Sequence, residues 1–115
     1  TIIFEDDQSL AFLDIRPITK GHVLLITKKP YRWMTDVPFE ELGTIFQKAQ
    51  QIMRAQLQGL ECDLVQVDIV GEEVPHFHIK LIPRMKNDTF ESLASGEAYA
   101  DGEAQMYAEK IKSVL

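Results

Sequence analysis

One stretch constrains the fold of this chain more than any other. Leu42, Ile45, Phe46, Ala49, Ile52, Met53 and Leu57 recur at three- and four-residue steps, which is one apolar stripe along about four helical turns. A helix with a single apolar face needs a surface to cover, and the rest of the sequence supplies strands for it. Pro38 suits the first helical turn, Glu40 and Glu41 favour the helix N-terminus, and Gly59 predicts its stop. Before the helix come three short runs: Ile2-Ile3-Phe4, then Leu10 to Ile15 with Asp14 as a polar intruder, then His22 to Thr27. Pro17 and Gly21 bracket a turn, and Lys28-Lys29-Pro30 closes the third run. After the helix, Leu64 to Val70 alternates and is rich in β-branched residues. Gly71-Glu72-Glu73 turns the chain, and Val74 to Pro83 predicts the second arm of a hairpin. Lys86 to Gly102 is polar loop, and from Asp101 a last helix places Ala104, Tyr107, Ala108, Ile111 and Leu115 on one side. Strands joined by hairpin-like links, with two helices, define an α+β fold around a five-stranded antiparallel sheet. At 115 residues, the expectation is a single domain spanning 1–115.

Charge and composition remove several functions. Twelve Lys+Arg against eighteen Asp+Glu leave a net charge of −6, which argues against a duplex nucleic-acid binder needing a basic face. A small nucleotide in a local pocket remains compatible with that charge. No apolar run approaches the roughly 20 residues of a membrane span. The single cysteine, Cys62, excludes an internal disulfide and a multi-cysteine zinc site, and is expected to be a small semi-buried residue. Thr1-Ile2-Ile3-Phe4 leads straight into acidic residues, without the basic start and long apolar core of a signal peptide. The expectation is a soluble cytoplasmic domain whose start, lacking Met, has been trimmed.

The chemistry concentrates in Val74-Pro75-His76-Phe77-His78-Ile79-Lys80-Leu81-Ile82-Pro83-Arg84. Strand alternation sends His76, His78 and Lys80 to one face and Phe77, Ile79 and Leu81 to the other. On spacing alone, two readings stand beside a functional one. The face is either a solvated polar surface or a His-x-His chelate that lacks an evident third ligand. Asp14, by position, is a turn residue at a strand end. His22 is expected to be a structural turn histidine. Tyr31 and Trp33 are expected to pack or to meet a second copy.

The chain as a whole resembles the histidine triad (HIT) superfamily of nucleotide hydrolases and transferases. The stretch from His76 is similar to that family's His-φ-His-φ-His-φ-φ signature, with Lys80 in the third histidine's place. Phe4-Glu5-Asp6-Asp7, Leu10-Ala11-Phe12-Leu13-Asp14-Ile15 with Pro17, and Gly21-His22-Val23-Leu24-Leu25-Ile26 resemble its opening strands in order and spacing. The resemblance implies that His78 is the nucleophile, attacking the α-phosphorus to form a nucleotidyl-histidine that water hydrolyses. Imidazole suits the role because its neutral ring nitrogen is nucleophilic near pH 7. It implies that His76 helps position the site, that Asp14 accepts from the ribose hydroxyls, and that Phe12 and Ile15 line the base pocket. A purine nucleotide or nucleotide conjugate as ligand, and a homodimer through the long helix and an edge strand, follow from the same resemblance.

The departures from the pattern bear on function. Lys80 supplies a cation that can meet phosphate oxygens but lacks an imidazole's paired donor and acceptor. Pro30 stands where many members carry another histidine, and Glu72 stands near where many members carry a glutamine that supports the leaving-group side. With that histidine and the family's N-terminal cysteine pair both absent, no metal or other cofactor is expected. The leading expectation is hydrolysis of nucleoside 5′-monophosphate derivatives: phosphoramidates, nucleotidyl esters or dinucleotides. The alternatives are a catalytically weak nucleotide-binding or sensory module with a degenerate triad and, more remotely, a nucleotidyl transferase.

Overall fold

In the computed structural model, which describes residues 1–71, 74–89 and 98–115, the strand pattern organises the molecule. The strands are β1 (Ile2–Glu5), β2 (Ser9–Leu13), β3 (Val23–Thr27), β4 (Leu64–Asp68) and β5 (His78–Arg84). They form one five-stranded antiparallel sheet in the order β1-β2-β3-β5-β4. In β2 and β3 every second residue is buried, so Ala11, Leu13, Val23 and Leu25 share one face with Ile79 and Leu81 of β5. That face joins Ile45, Ala49, Ile52 and Ala55 of the long helix α1 (Phe39–Leu60), and Ala108 and Ile111 of α2 (Glu103–Lys112), in one core. A fold of five antiparallel strands with one long and one C-terminal helix is the α+β architecture expected from the sequence.

The hairpin-like pair β4 and β5 runs in register from Leu64 opposite Arg84 to Asp68 opposite Lys80. Because β5 is also paired with β3, it lies inside the sheet, with five of its seven residues buried. Ile79, Leu81, Ile82 and Pro83 supply most of that burial, while Lys80 and Arg84 stay partly exposed.

Several boundaries differ from the sequence expectation, each for a local reason. The last strand begins at His78 and not at Val74. Pro75 has no N–H to donate, His76 N–H closes a tight turn onto Val74 O at 2.8 Å, and Phe77 N–H donates to Tyr31 O at 2.7 Å. β4 ends at Asp68, two residues before Val70, and the Glu72-Glu73 part of the turn lies outside the described residues. β2 ends at Leu13, so Ile15 is outside the strand. Residues 90–97 of the Lys86–Gly102 loop are likewise outside the described residues.

The helix ends correct the sequence reading in another way. Pro38 is the residue before α1, and Gly59 does not stop it. The chain leaves the helix at Glu61, which takes the left-handed conformation with φ 53°. Gly59 serves a tertiary contact, because a Cβ there would lie 2.2 Å from the Lys110 carbonyl oxygen of α2. The stripe also contains an unforeseen polar member. Gln56 is fully buried, and its Nε2 donates to Gly21 O at 2.9 Å and Leu81 O at 3.0 Å, clipping α1 to a turn and to β5. On α2, Ala108 and Ile111 are buried as expected, while Leu115 is exposed beyond the helix end.

Gly59→Ala separates the two roles of that glycine. In an isolated helix the change stabilises by about 1 kcal/mol. Here the added methyl meets backbone, so denaturant unfolding should show a net loss of roughly 1–3 kcal/mol. A gain in stability would show that the two helices do not depend on this close approach.

Candidate active site

The face of the sheet opposite the helices carries a cleft of about 370 Å³. Register explains its walls. Phe12 lies opposite Leu24, Leu24 opposite Lys80, and Ile26 opposite His78, so these even-numbered residues share that face. Asp14 closes one end just past β2, and Val70, Gly71 and Val74 from the β4–β5 connection form another wall. The structure thus brings Asp14, Phe12, His78 and Lys80 together around one cavity. Leu24 and Ile26, which the sequence reading did not single out, were marked only by their alternation in an otherwise apolar run.

His78 is held by the main chain. Its ring Nδ1 lies 2.8 Å from His76 O, and since a carbonyl only accepts, Nδ1 carries the proton. Nε2 of the neutral ring is then left with its lone pair and has no bonded partner among the described residues. The ring is nearly buried, at 7% exposure, which restricts its orientation.

His76 is placed differently from the expectation of one shared strand face. It precedes β5, and its ring Nε2 donates to Thr27 O at 2.8 Å, at the last residue of β3. Its side chain is not part of the cleft wall; its carbonyl is what reaches His78. Ile15 is 80% exposed and also lies off the wall, because β2 ends two residues earlier. Glu72 lies outside the described residues. Among the described residues there is no group of three His, Cys, Asp or Glu arranged to hold a metal ion.

Beside Asp14 lies His22, which is 1% exposed. It does hold a turn, since Nδ1 accepts from the Ile18 N–H at 3.2 Å, and the same nitrogen is 4.0 Å from Asp14 Oδ2. Asp14 Oδ1 accepts from the Arg16 N–H at 2.9 Å. Burial pushes His22 down to about 4 from its ordinary 6.5, with Asp14 opposing the shift and Lys80 adding to it. His22 is therefore neutral at pH 7.

With this geometry in place, the comparisons with known proteins give the class. The HIT domain family model matches residues 1–87, and the chain belongs to that family. It is 34% identical over 92 residues to a HIT-like protein of Methanocaldococcus jannaschii, covering 76% of this chain and 70% of the relative. It is 31% identical over 96 residues to the asymmetrical bis(5′-nucleosyl)-tetraphosphatase of Schizosaccharomyces pombe, covering 79% of this chain and 53% of that enzyme. Among solved structures, the Hit-like protein of Bartonella henselae superposes with a TM-score of 0.84 at 27% identity, covering 99% of this chain and 86% of the other. No helix among the described residues is long and apolar enough to cross a membrane.

The buried His22 has a consequence for stability. Its folded pKa of about 4 lies below the unfolded value near 6.5, so the unfolded state binds the extra proton first. Its contribution is whole above pH 6.5 and is lost as pH falls toward 4, on the order of 3 kcal/mol in all. His22→Asn cannot titrate, and unfolding measured between pH 7 and 4.5 should show a flatter pH dependence than the native chain. Parallel curves would remove His22 as the cause.

Proposed function

We propose that this chain hydrolyses nucleoside 5′-monophosphate derivatives through a nucleotidyl-His78 intermediate. The observation that carries the reading is the His78 Nδ1 to His76 O hydrogen bond, which assigns the lone pair to Nε2 beside a cleft holding both a carboxylate and an amine. Asp14 accepts from the ribose hydroxyls and Phe12 offers apolar surface to a purine base, both across the cleft from His78. His78 Nε2 attacks the α-phosphorus, a P–N bond forms, and the bond to the departing group breaks with its electron pair. Water then attacks the phosphorus, the P–N bond breaks, and its electrons return to Nε2. One water is consumed, and a nucleoside monophosphate is released.

Lys80 stands beside His78 as the charge that meets the non-bridging oxygens, where preorganised electrostatics contributes most. His76 acts through its carbonyl, with its ring tied to Thr27. The named activity of the fission-yeast relative, a dinucleotide hydrolase, supports the substrate class. Exposed Leu57 on α1, and Leu64 and Val67 on the edge strand β4, support a homodimer through those elements.

Incubation with adenosine phosphoramidate should release AMP and leave a transient adenylyl mass on a histidine. His78→Ala should abolish both, because the covalent route disappears. Lys80→Met keeps the side-chain length and removes the charge, and should lower kcat about tenfold to a thousandfold, the scale of one transition-state contact. Full activity in Lys80→Met would free Lys80 of that role. AMP binding without turnover in the native chain would instead indicate a nucleotide-binding module. AMP should also bind more tightly than 2′,3′-dideoxy-AMP, by roughly 1.5–3 kcal/mol for each hydrogen bond to the Asp14 carboxylate. Equal affinities would take Asp14 out of the site.

A further inference from the structure

His78 borders two hollows. Besides the cleft that ends at Asp14, a second depression of about 280 Å³ has Arg32, Trp33, Met34 and Thr35 on one wall and Ile69, Val70 and Gly71 on the other. Val70, Gly71 and His78 are common to both, so the two meet at the nucleophile. A displacement at phosphorus needs two such places, one to hold the retained nucleotide and one to receive the group that departs.

The second hollow is mostly apolar and contains one cation. The Arg32 guanidinium carbon lies 3.8 Å from the centre of the Trp33 ring, and Nη1 donates to Gly71 O on the facing wall. Stacking fixes the plane of the guanidinium and the hydrogen bond fixes one edge, so the remaining N–H donors are oriented before any ligand arrives. Lys20, Lys28, Lys29, Lys48, Arg84 and Lys112 each lie within 4.0 Å of a carboxylate. Among the described residues Arg32 has no such partner, a state it shares with Arg16, Arg54, Lys80, Lys86 and Lys110; of these six only Arg32 and Lys80 line a hollow that His78 also borders. A half-buried, pre-oriented cation beside His78, with no acid beside it among the described residues, fits an anion that is not part of the chain.

We propose that this hollow is the leaving-group side of the site, and that Arg32 selects substrates whose departing group is an oxyanion such as a nucleoside phosphate or sulfate. The proposal rests on His78 being the nucleophile. As the Nε2–P bond forms, the bridging P–O bond breaks and its electron pair passes to the departing oxygen. Arg32 meets the charge already on that group and the charge that develops on it. Phosphate and sulfate leave as stable anions, whereas an amine must acquire a proton before it leaves. A site with Lys80 beside His78 and no third imidazole suits a group that needs no proton. Water then releases the nucleotide from His78, and both products leave with one water consumed.

The test compares three substrates that share the AMP half: diadenosine triphosphate, adenylyl sulfate and adenosine phosphoramidate, whose departing groups are ADP, sulfate and ammonia. In Arg32→Gln, the ratio of kcat/KM for an anionic substrate to that for the phosphoramidate should fall about tenfold or more. Arg32→Lys should recover part of that ratio. A fall confined to diadenosine triphosphate assigns the hollow to nucleoside phosphates; a fall confined to adenylyl sulfate assigns it to small oxyanions; a fall in both supports anion selection in general. An unchanged ratio overturns the proposal, including the case where all three rates drop together. If the native chain turns over none of the three, the hydrolase reading fails and calorimetry on the His78→Ala background decides the hollow. Arg32→Gln weakening diadenosine triphosphate while AMP affinity holds supports it, and equal weakening or none overturns it.

Discussion

The insertion of β5 between β3 and β4 is the constraint on which the rest of the structure depends. A strand paired on both sides has its register fixed twice, once by Val23 opposite Leu81 and again by Leu64 opposite Arg84. A slip of one residue would send His78 and Lys80 to the helix side and bring Ile79 and Leu81 into the cleft. Burial of Ile79 and Leu81 against α1 is therefore what orients the chemistry on the opposite face. Gln56 reinforces the same register from the helix side, since its amide bonds to Leu81 O within β5.

That arrangement accounts for the division of labour around the site. β2 and β3 contribute Phe12, Leu24 and Ile26 through plain alternation, and Asp14 sits where β2 has just ended. The loop preceding β5 contributes main-chain groups, with His76 O toward His78 and Phe77 N–H toward Tyr31 O. The segment after β3 brings Arg32 to within hydrogen-bonding reach of Gly71, across the sheet's open end. Strands carry His78 and Lys80, and the connections carry Asp14, Arg32 and Gly71 around them.

Much of the fold was legible in the sequence because it rests on periodicity. The stripe from Leu42 to Leu57 marked α1, the alternation from Leu64 marked β4, and the resemblance to the HIT family drew Asp14, Phe12, His78 and Lys80 into one site. What the sequence did not disclose depends on contacts between distant segments. Gly59 has the local character of a helix stop, yet its reason is the Lys110 carbonyl of α2. His76 was placed on a strand face by spacing, but Pro75 and the bond from Phe77 N–H to Tyr31 O delay the strand until His78. Ile15 fell outside the cleft for a similar reason, the early end of β2. Arg32 carried no motif at all; only the approach of Trp33 and Gly71 gives it an orientation.

The proton on His78 is held in place by a peptide carbonyl, a group that every amino acid brings to that position. As far as the tautomer is concerned, position 76 is indifferent to which side chain occupies it, so long as the backbone path is kept. The histidine ring at 76 contributes by anchoring that path to Thr27 O. The position of the His78 lone pair is thus tied to the course of the chain and not to a neighbouring side chain. Side chains around His78 can differ while its lone pair stays on the same atom, provided the backbone path is kept.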